Sequence, residues 1–187
     1  MRKFLTFFFL IFFFSLSIAQ NGQIDSLKSQ LQSAKEDTIK VNTLILLSNK
    51  LVGIDPDQTI IYSTQAKELA EMLDFKNGLG YALKSIGMGY YFKGDYADAL
   101  MYWQQSLKTF EANGNKLGVA NLSNNLGAVN FNEGDDSKAI EYYLQSLKVS
   151  EEIGDKLRIA TALVNIGAVY ANKANTYAMA LDYYRRA

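Results

Sequence analysis

The chain of 187 residues has no cysteine, no histidine, a single proline (Pro56) and no run of like charge. Without cysteine or histidine there is no Ser-His or Cys-His pair, no thiolate and no imidazole metal site. Disulfides are excluded too, so stability must come from a packed core. The scattered charge gives no footprint for nucleic acid or an anionic membrane surface. Carboxylates remain, but a pair such as Glu151 and Glu152 would point about 100° apart on a helix, both on a solvated face. The glycine-rich stretch GMGYYFKG, 87–94, reads as a helix and its turn rather than a phosphate loop following a strand. No catalytic residue, metal or cofactor is expected.

What is present begins at residue 1. Arg2 and Lys3 precede an apolar run, Phe4 to Phe14, broken only by Thr6, and Ser17-Ile18-Ala19 follows. That order is the layout of a secretory signal peptide, 1–19, cleaved after Ala19. It implies export to the periplasm or the medium. An uncleaved anchor is the lesser reading, because the run falls short of the ~20 residues that span a bilayer. No cysteine follows it, which excludes lipid attachment at this end. The part from Gln20 keeps seventeen Lys and Arg against nineteen Asp and Glu and is long enough for one domain. Residues 20–37 read as a linker with one short amphipathic helix, Ile24 to Ala34, apolar at Ile24, Leu27, Leu31 and Ala34.

From there the chain repeats. Residues 78–117 lie over 118–157 without a gap, about a third of the pairs being identical, including QSLK at 105–108 and 145–148. Residues 158–187 begin another copy with one extra residue before Ala180, and 38–77 form a degenerate first copy with Leu47 where the others have glycine. A fixed forty-residue period signals stacked helix pairs. In 118–157, Leu122, Leu126 and Val129 share one helical face. Gly134 then interrupts, Asp135 or Asp136 caps a second helix, and that helix buries Ala139, Ile140, Tyr143, Leu147 and Ile153. Gly154 suits a left-handed helix end. Asp55-Pro56-Asp57-Gln58 sets a cap, a first-turn proline and a capping-box residue. An all-helical chain follows.

The recurring pattern large-x-x-Leu/Ile-Gly-x-x-Tyr, then Ala-x-x-x-aromatic, resembles the tetratricopeptide repeat. It is carried by Leu83, Ile86, Gly87, Tyr90, Ala99 and Trp103; by Leu126, Gly127, Ala139 and Tyr143, with Ser123 and Asn130 departing; and by Leu163, Ile166, Gly167, Tyr170, Ala180 and Tyr184. The common form repeats at 34 residues, and the six extra here fall after the aromatic. Such longer repeats are similar to those of kinesin light chains and bacterial peptide-responsive regulators. With its leader, the arrangement also resembles exported tetratricopeptide proteins of the Bacteroidetes. The resemblance implies a right-handed α-solenoid of antiparallel helix pairs. The glycines read as packing marks, letting two backbones approach beside the aromatic.

The resemblance also implies a concave groove lined by the first helix of each pair, holding a protein or peptide segment. The matching positions are Tyr81, Lys84, Met88, Tyr91 and Phe92; Asn121, Asn124, Ala128, Phe131 and Asn132; and Thr161, Val164, Ala168, Ala171 and Asn172. Asparagine amides donate and accept, so they can hold a ligand backbone of any sequence. Asn125 and Asn165 are either ligand hooks or amides bonded between neighbouring helices. Only Lys84 brings positive charge to this wall, which argues against the terminal-carboxylate ligands that chaperone-tail-binding relatives hold with several lysines and arginines. The last helix would leave Leu181 and Tyr184 without a following neighbour. Self-association or a C-terminal continuation would cover them. The rival functional reading is therefore the sensory input region of a longer signalling protein whose output part, a histidine kinase, nucleotide cyclase or transcriptional regulator, is missing.

Overall fold

The computed structural model describes residues 22–187, so the leader read at 1–19 lies outside the described residues. All regular structure among them is helical. Helix α1 spans 22–32, and eight more follow: α2 Thr38–Leu51, α3 Pro56–Met72, α4 Lys76–Lys93, α5 Tyr96–Ala112, α6 Lys116–Asn132, α7 Asp136–Ile153, α8 Lys156–Ala171 and α9 Tyr177–Arg186. Consecutive helices pack as antiparallel pairs. The first helices α2, α4, α6 and α8 also touch one another in turn, whereas α3, α5, α7 and α9 make no such contacts among themselves. The result is an α-solenoid with a continuous wall of first helices.

The punctuation is finer than the forty-residue repeat. Backbone φ is positive at Asp74, Gly94, Gly114, Gly134 and Gly154, one helix apart each time. Glycine adopts this left-handed geometry without steric penalty, and it ends each helix. The next residue then often caps the following helix: Asn115, Asp135 and Asp155 accept the backbone N–H of Gly118, Lys138 and Arg158. Asp55 does the same for Gln58, with Pro56 at the first helical position. Between α8 and α9 the extra residue is absorbed by a 3-10 turn, Ala174–Thr176.

The repeated helical glycines are made necessary by packing. A Cβ on Gly87 would lie 2.4 Å from Cδ1 of Trp103, one on Gly127 2.6 Å from Cδ1 of Tyr143, and one on Gly167 2.7 Å from Cε1 of Tyr184. Each pair of helices thus closes on an aromatic ring where one backbone carries no side chain. The first copy inverts the arrangement. Leu47 stands at the glycine position and packs with Ile24, Leu27 and Leu51, while Ser63 stands where the others have the ring. With no ring to seat, the glycine is unnecessary, and α1 supplies the cover a preceding pair would give.

Buried clusters run along the stack, from Val41, Leu44, Leu69 and Ala82 through Trp103, Phe110, Leu122 and Leu126 to Tyr143, Leu163 and Ile166. Buried hydroxyls stitch the pairs: Ser106 donates to the Gly80 carbonyl at 2.7 Å and, one copy on, Ser146 to the Ala120 carbonyl at 2.8 Å. Buried Asn130, a departure from the repeat pattern, satisfies itself by donating to the Leu126 carbonyl at 2.8 Å.

Three sequence expectations need correction. Helix α1 ends before Ala34, which sits in the connection to α2. Ile153 is exposed, because it is the last residue of α7 and lies beyond the reach of α8. Ile140 is only half-buried at the edge of the third cluster.

A polar pocket on the wall of first helices

Across α4, α6 and α8 a pocket of about 360 Å³ opens, lined by Lys84, Asn121, Asn124, Asn125, Leu157, Arg158 and Thr161, with Ala120 and Ser146 at its base. Four of the expected wall residues meet there: Lys84, Asn121, Asn124 and Thr161. The same helical phase places them on one side, opposite buried Leu122, Leu126, Leu163 and Ile166.

The other expected positions are dispersed. Tyr81 lies edge-on to Phe110 with ring centroids 4.9 Å apart, and Met88 is half-buried against the Trp103 cluster. Tyr91 sits among Phe92, Tyr96 and Trp103 at centroid distances of 5.8, 5.4 and 5.6 Å. Ala128 and Phe131 pack against the cluster of the following helix pair, so part of that wall is already occupied by the protein itself. Asn132 and Asn172 are exposed at the far ends of α6 and α8, away from the pocket. Val164 is exposed, and Ala168 and Ala171 are half-buried.

Within the pocket the amides are partly committed. Asn165 donates from α8 to Asn124 Oδ1 at 2.8 Å, an inter-helix bond of the kind expected for a half-buried amide, made with Asn124 rather than Asn125. Arg158 Nε donates to Asn121 Oδ1 at 2.7 Å, and its guanidinium also pairs with Asp155. Thr161 turns its hydroxyl to the Leu157 carbonyl at 2.8 Å.

Arg158 is the residue missed in the sequence. Lys84 is therefore not the only cation on this wall, and the expectation that it stands alone there, on which the argument against terminal-carboxylate ligands rested, is corrected. A signal was available: Arg158 falls where the two preceding copies have Gly118 and Gly78, and a long cation replacing glycine twice over marks a change of use. Burial, and then the neighbouring Arg158 charge, hold the Lys84 ammonium below its ordinary pKa. Its Nζ lies 5.7 Å from the Tyr81 ring centroid. No cluster of acidic side chains suited to a metal ion occurs among the described residues, and no helix among them is long and apolar enough to cross a membrane.

Residues 118–187 match the tetratricopeptide repeat family. No curated protein matches the chain. Among solved structures, BtubC (BKLC) from P. vanneervenii is similar with a TM-score of 0.75 at 17% identity, over 90% of this chain and 74% of that one. The apo form of RapI matches with a TM-score of 0.76 at 16% identity, over 91% of this chain and 48% of its own. A Rap protein complexed with Competence and Sporulation Factor matches with a TM-score of 0.73 at 18% identity, over 89% and 47%. The chain thus spans about half the length of these Rap proteins. At such identities the likeness concerns the fold, which covers the helix pairs both before and within the matched segment. Residues 118–187 are thus tetratricopeptide repeats, and the Gly87–Trp103 contact continues the same helix-pair packing upstream of them.

Proposed function

We propose that the chain is an exported binding scaffold that holds a protein or peptide segment along a groove formed by its first helices, without carrying out chemistry. The observation that carries this reading is the polar pocket, where Lys84, Asn121, Asn124, Asn125 and Arg158 converge from three successive pairs. A site assembled from several repeats suits an extended ligand lying across the stack. Hydrogen-bonding side chains on rigid helices reduce the ordering cost of binding. Support from fold comes from the Rap protein complexed with Competence and Sporulation Factor. The leader-like order of residues 1–19 supports export, and the absence of cysteine and histidine supports a role without catalysis.

The test is affinity capture from extracts of the source organism, with the retained partner cut back by protease to the segment the chain protects. Asn121→Ala with Asn124→Ala should lower retention of that segment about tenfold or more. Asn132→Ala, remote from the pocket, should have little effect. Unchanged retention by the Asn121/Asn124 variant would move the binding surface off this wall.

A further inference from the structure

The turn between α4 and α5 differs from its counterparts in two ways. The first is exposed rings. Tyr91 holds Phe92 edge-on and Tyr96 tilted, at centroid distances of 5.8 and 5.4 Å, while its own ring rests 5.6 Å from buried Trp103. Phe92 and Tyr96 are nevertheless 50% and 47% exposed, so both rings are fixed in place yet open to solvent. One copy later the same positions are Asn132 and Asp136. The neighbouring α2–α3 turn adds exposed Ile54 and is tied to this one by the Lys93–Asp57 ion pair at 2.7 Å.

The second difference is charge. Asp95 starts α5, yet its side chain caps nothing. The other aspartates that start helices, Asp37, Asp55, Asp135 and Asp155, each accept a backbone N–H of the first turn. Asp135 and Asp155 are also neutralised by a cation three residues on, Lys138 at 3.0 Å and Arg158. Three residues after Asp95 comes Asp98 instead, and neither carboxylate has an ion-pair partner among the described residues. Lys93, the cation of this turn, is held by Asp57. The Tyr90 phenol, stacked on Tyr102 at 5.5 Å, is held above its ordinary pKa by burial, then by Tyr102 and by the Asp98 and Asp95 charges. The two carboxylates therefore border the rings. Like charges one turn apart oppose each other, so a cation from outside would supply what Lys138 and Arg158 supply from within.

We infer that this turn is a second docking surface, at which Phe92, Tyr96, Asp95 and Asp98 receive an arginine side chain of a partner protein. It lies about 12 Å along α4 from Lys84 and does not depend on the groove reading. The guanidinium stacks on an exposed ring while its N–H groups reach the carboxylates. Arginine suits this better than lysine, because its plane lies flat on an aromatic face and its fork bonds carboxylate oxygens in pairs. Asp57, Asp95 and Asp98 against Lys93 alone give the surface a negative sign, which favours a basic partner and opposes an anionic membrane. Rings already held by Tyr91 and Trp103 reduce the ordering cost of docking.

The purified chain, labelled with 15N, is titrated with N-acetylarginine N-methylamide. The comparison probes are the citrulline analogue, which keeps the shape without the charge, the lysine analogue, and phosphatidylcholine vesicles. The arginine compound should give saturable shifts at the backbone N–H groups of Phe92, Asp95, Tyr96 and Asp98, with the citrulline analogue weaker by about tenfold or more and the lysine analogue weaker as well. Asp98→Lys, which installs the cation that the next copy has, should abolish the response while leaving the melting temperature unchanged or raised. Tyr96→Ala, which spares both carboxylates, should weaken it about two- to fivefold. Equal binding of the citrulline or lysine analogue, or an undiminished response in either variant, would overturn the inference. So would no saturable response, or shifts at these residues with the vesicles in place of the arginine compound. Retention of the protected segment by the Asn121/Asn124 variant is a separate readout of the groove, so either reading can fail alone.

Discussion

Two successive junctions of the solenoid use the same positions in opposite ways. Between α4, α5 and α6 the space is filled by rings. Phe110 is fully buried, a Cβ on Gly80 would lie 2.4 Å from its ring and one on Gly118 2.6 Å, and Tyr81 closes over it edge-on. One copy later, between α6, α7 and α8, Ser150 replaces Phe110, Ala120 replaces Gly80, Arg158 replaces Gly118 and Asn121 replaces Tyr81. There the ring, its two glycine seats and its lid are gone together, and a polar pocket opens at that level. Both junctions keep the serine-to-carbonyl bond between their helices, so the backbone frame is common to them. The difference lies in the side chains: rings fill the level that polar groups line one copy later.

The comparison can be broken at the filled junction. Phe110→Ala should cost about 3–5 kcal/mol of stability, the range for losing a fully buried aromatic with its cavity left behind. Equilibrium urea unfolding measures this, and a loss below 1 kcal/mol would show that the two junctions are not packed differently. It can be sharpened by transplantation. Ser150→Phe combined with Ala120→Gly, Arg158→Gly and Asn121→Tyr should close the pocket and raise stability by about 1.5–3 kcal/mol, the yield of burying one large apolar side chain. Pocket binding should vanish at the same time. Destabilisation would mean that the open junction differs in its frame as well as its side chains.

Smaller effects test the shared frame and what remains unsatisfied in it. Gly127→Leu should overpack against Tyr143 and destabilise by about 1–3 kcal/mol. The same change at Gly167 should cost less, because Tyr184 is 43% exposed where Tyr143 is 3% and has room to move. Equal losses would refute the packing account of the glycines. At the open junction the Ser150 hydroxyl is buried without a partner. Ser150→Ala should therefore be neutral or stabilising by up to about 1 kcal/mol, and a clear loss in urea unfolding would reveal a bond that the hydroxyl makes.

The last effect is silent at neutral pH. Burial pushes the Tyr143 phenol up to about 12, so the folded state keeps a proton that the unfolded state releases near the ordinary value of 10. Stability is then fully present below pH 10 and falls as pH rises from about 10 to 12. Tyr143→Phe should flatten that fall in alkaline melting curves, and an unchanged alkaline slope would assign it to other groups.

Much of this was legible before any coordinates. The period set by Gly87, Gly127 and Gly167 with Trp103, Tyr143 and Tyr184 is a short-range regularity. Helix periodicity turns it directly into paired helices with aromatic-on-glycine contacts. The caps at Asp55 and Asp135 are equally local, since a side-chain oxygen needs only to reach an N–H two or three residues on. The pocket was legible in part. Lys84, Asn121, Asn124 and Thr161 share a helical phase and could be grouped, but Arg158 lies one turn outside that grouping. Ala128 and Phe131 share the phase and yet pack against the next pair. Which residues face a neighbour and which face open space depends on how neighbouring pairs stack, and no single helix records that.

The amino-acid sequence by itself determined the helix pairs, their period, their caps and the glycine–aromatic contacts, because each arises within one copy between residues at fixed spacing. Tertiary structure decided the rest. Lys84 of one copy stands beside Arg158 two copies later, Asn124 is held by Asn165 across forty-one residues, and Ser150 opposes no ring. Such neighbours are set by superposing pairs that are distant along the chain, and the polar pocket exists only in that superposition.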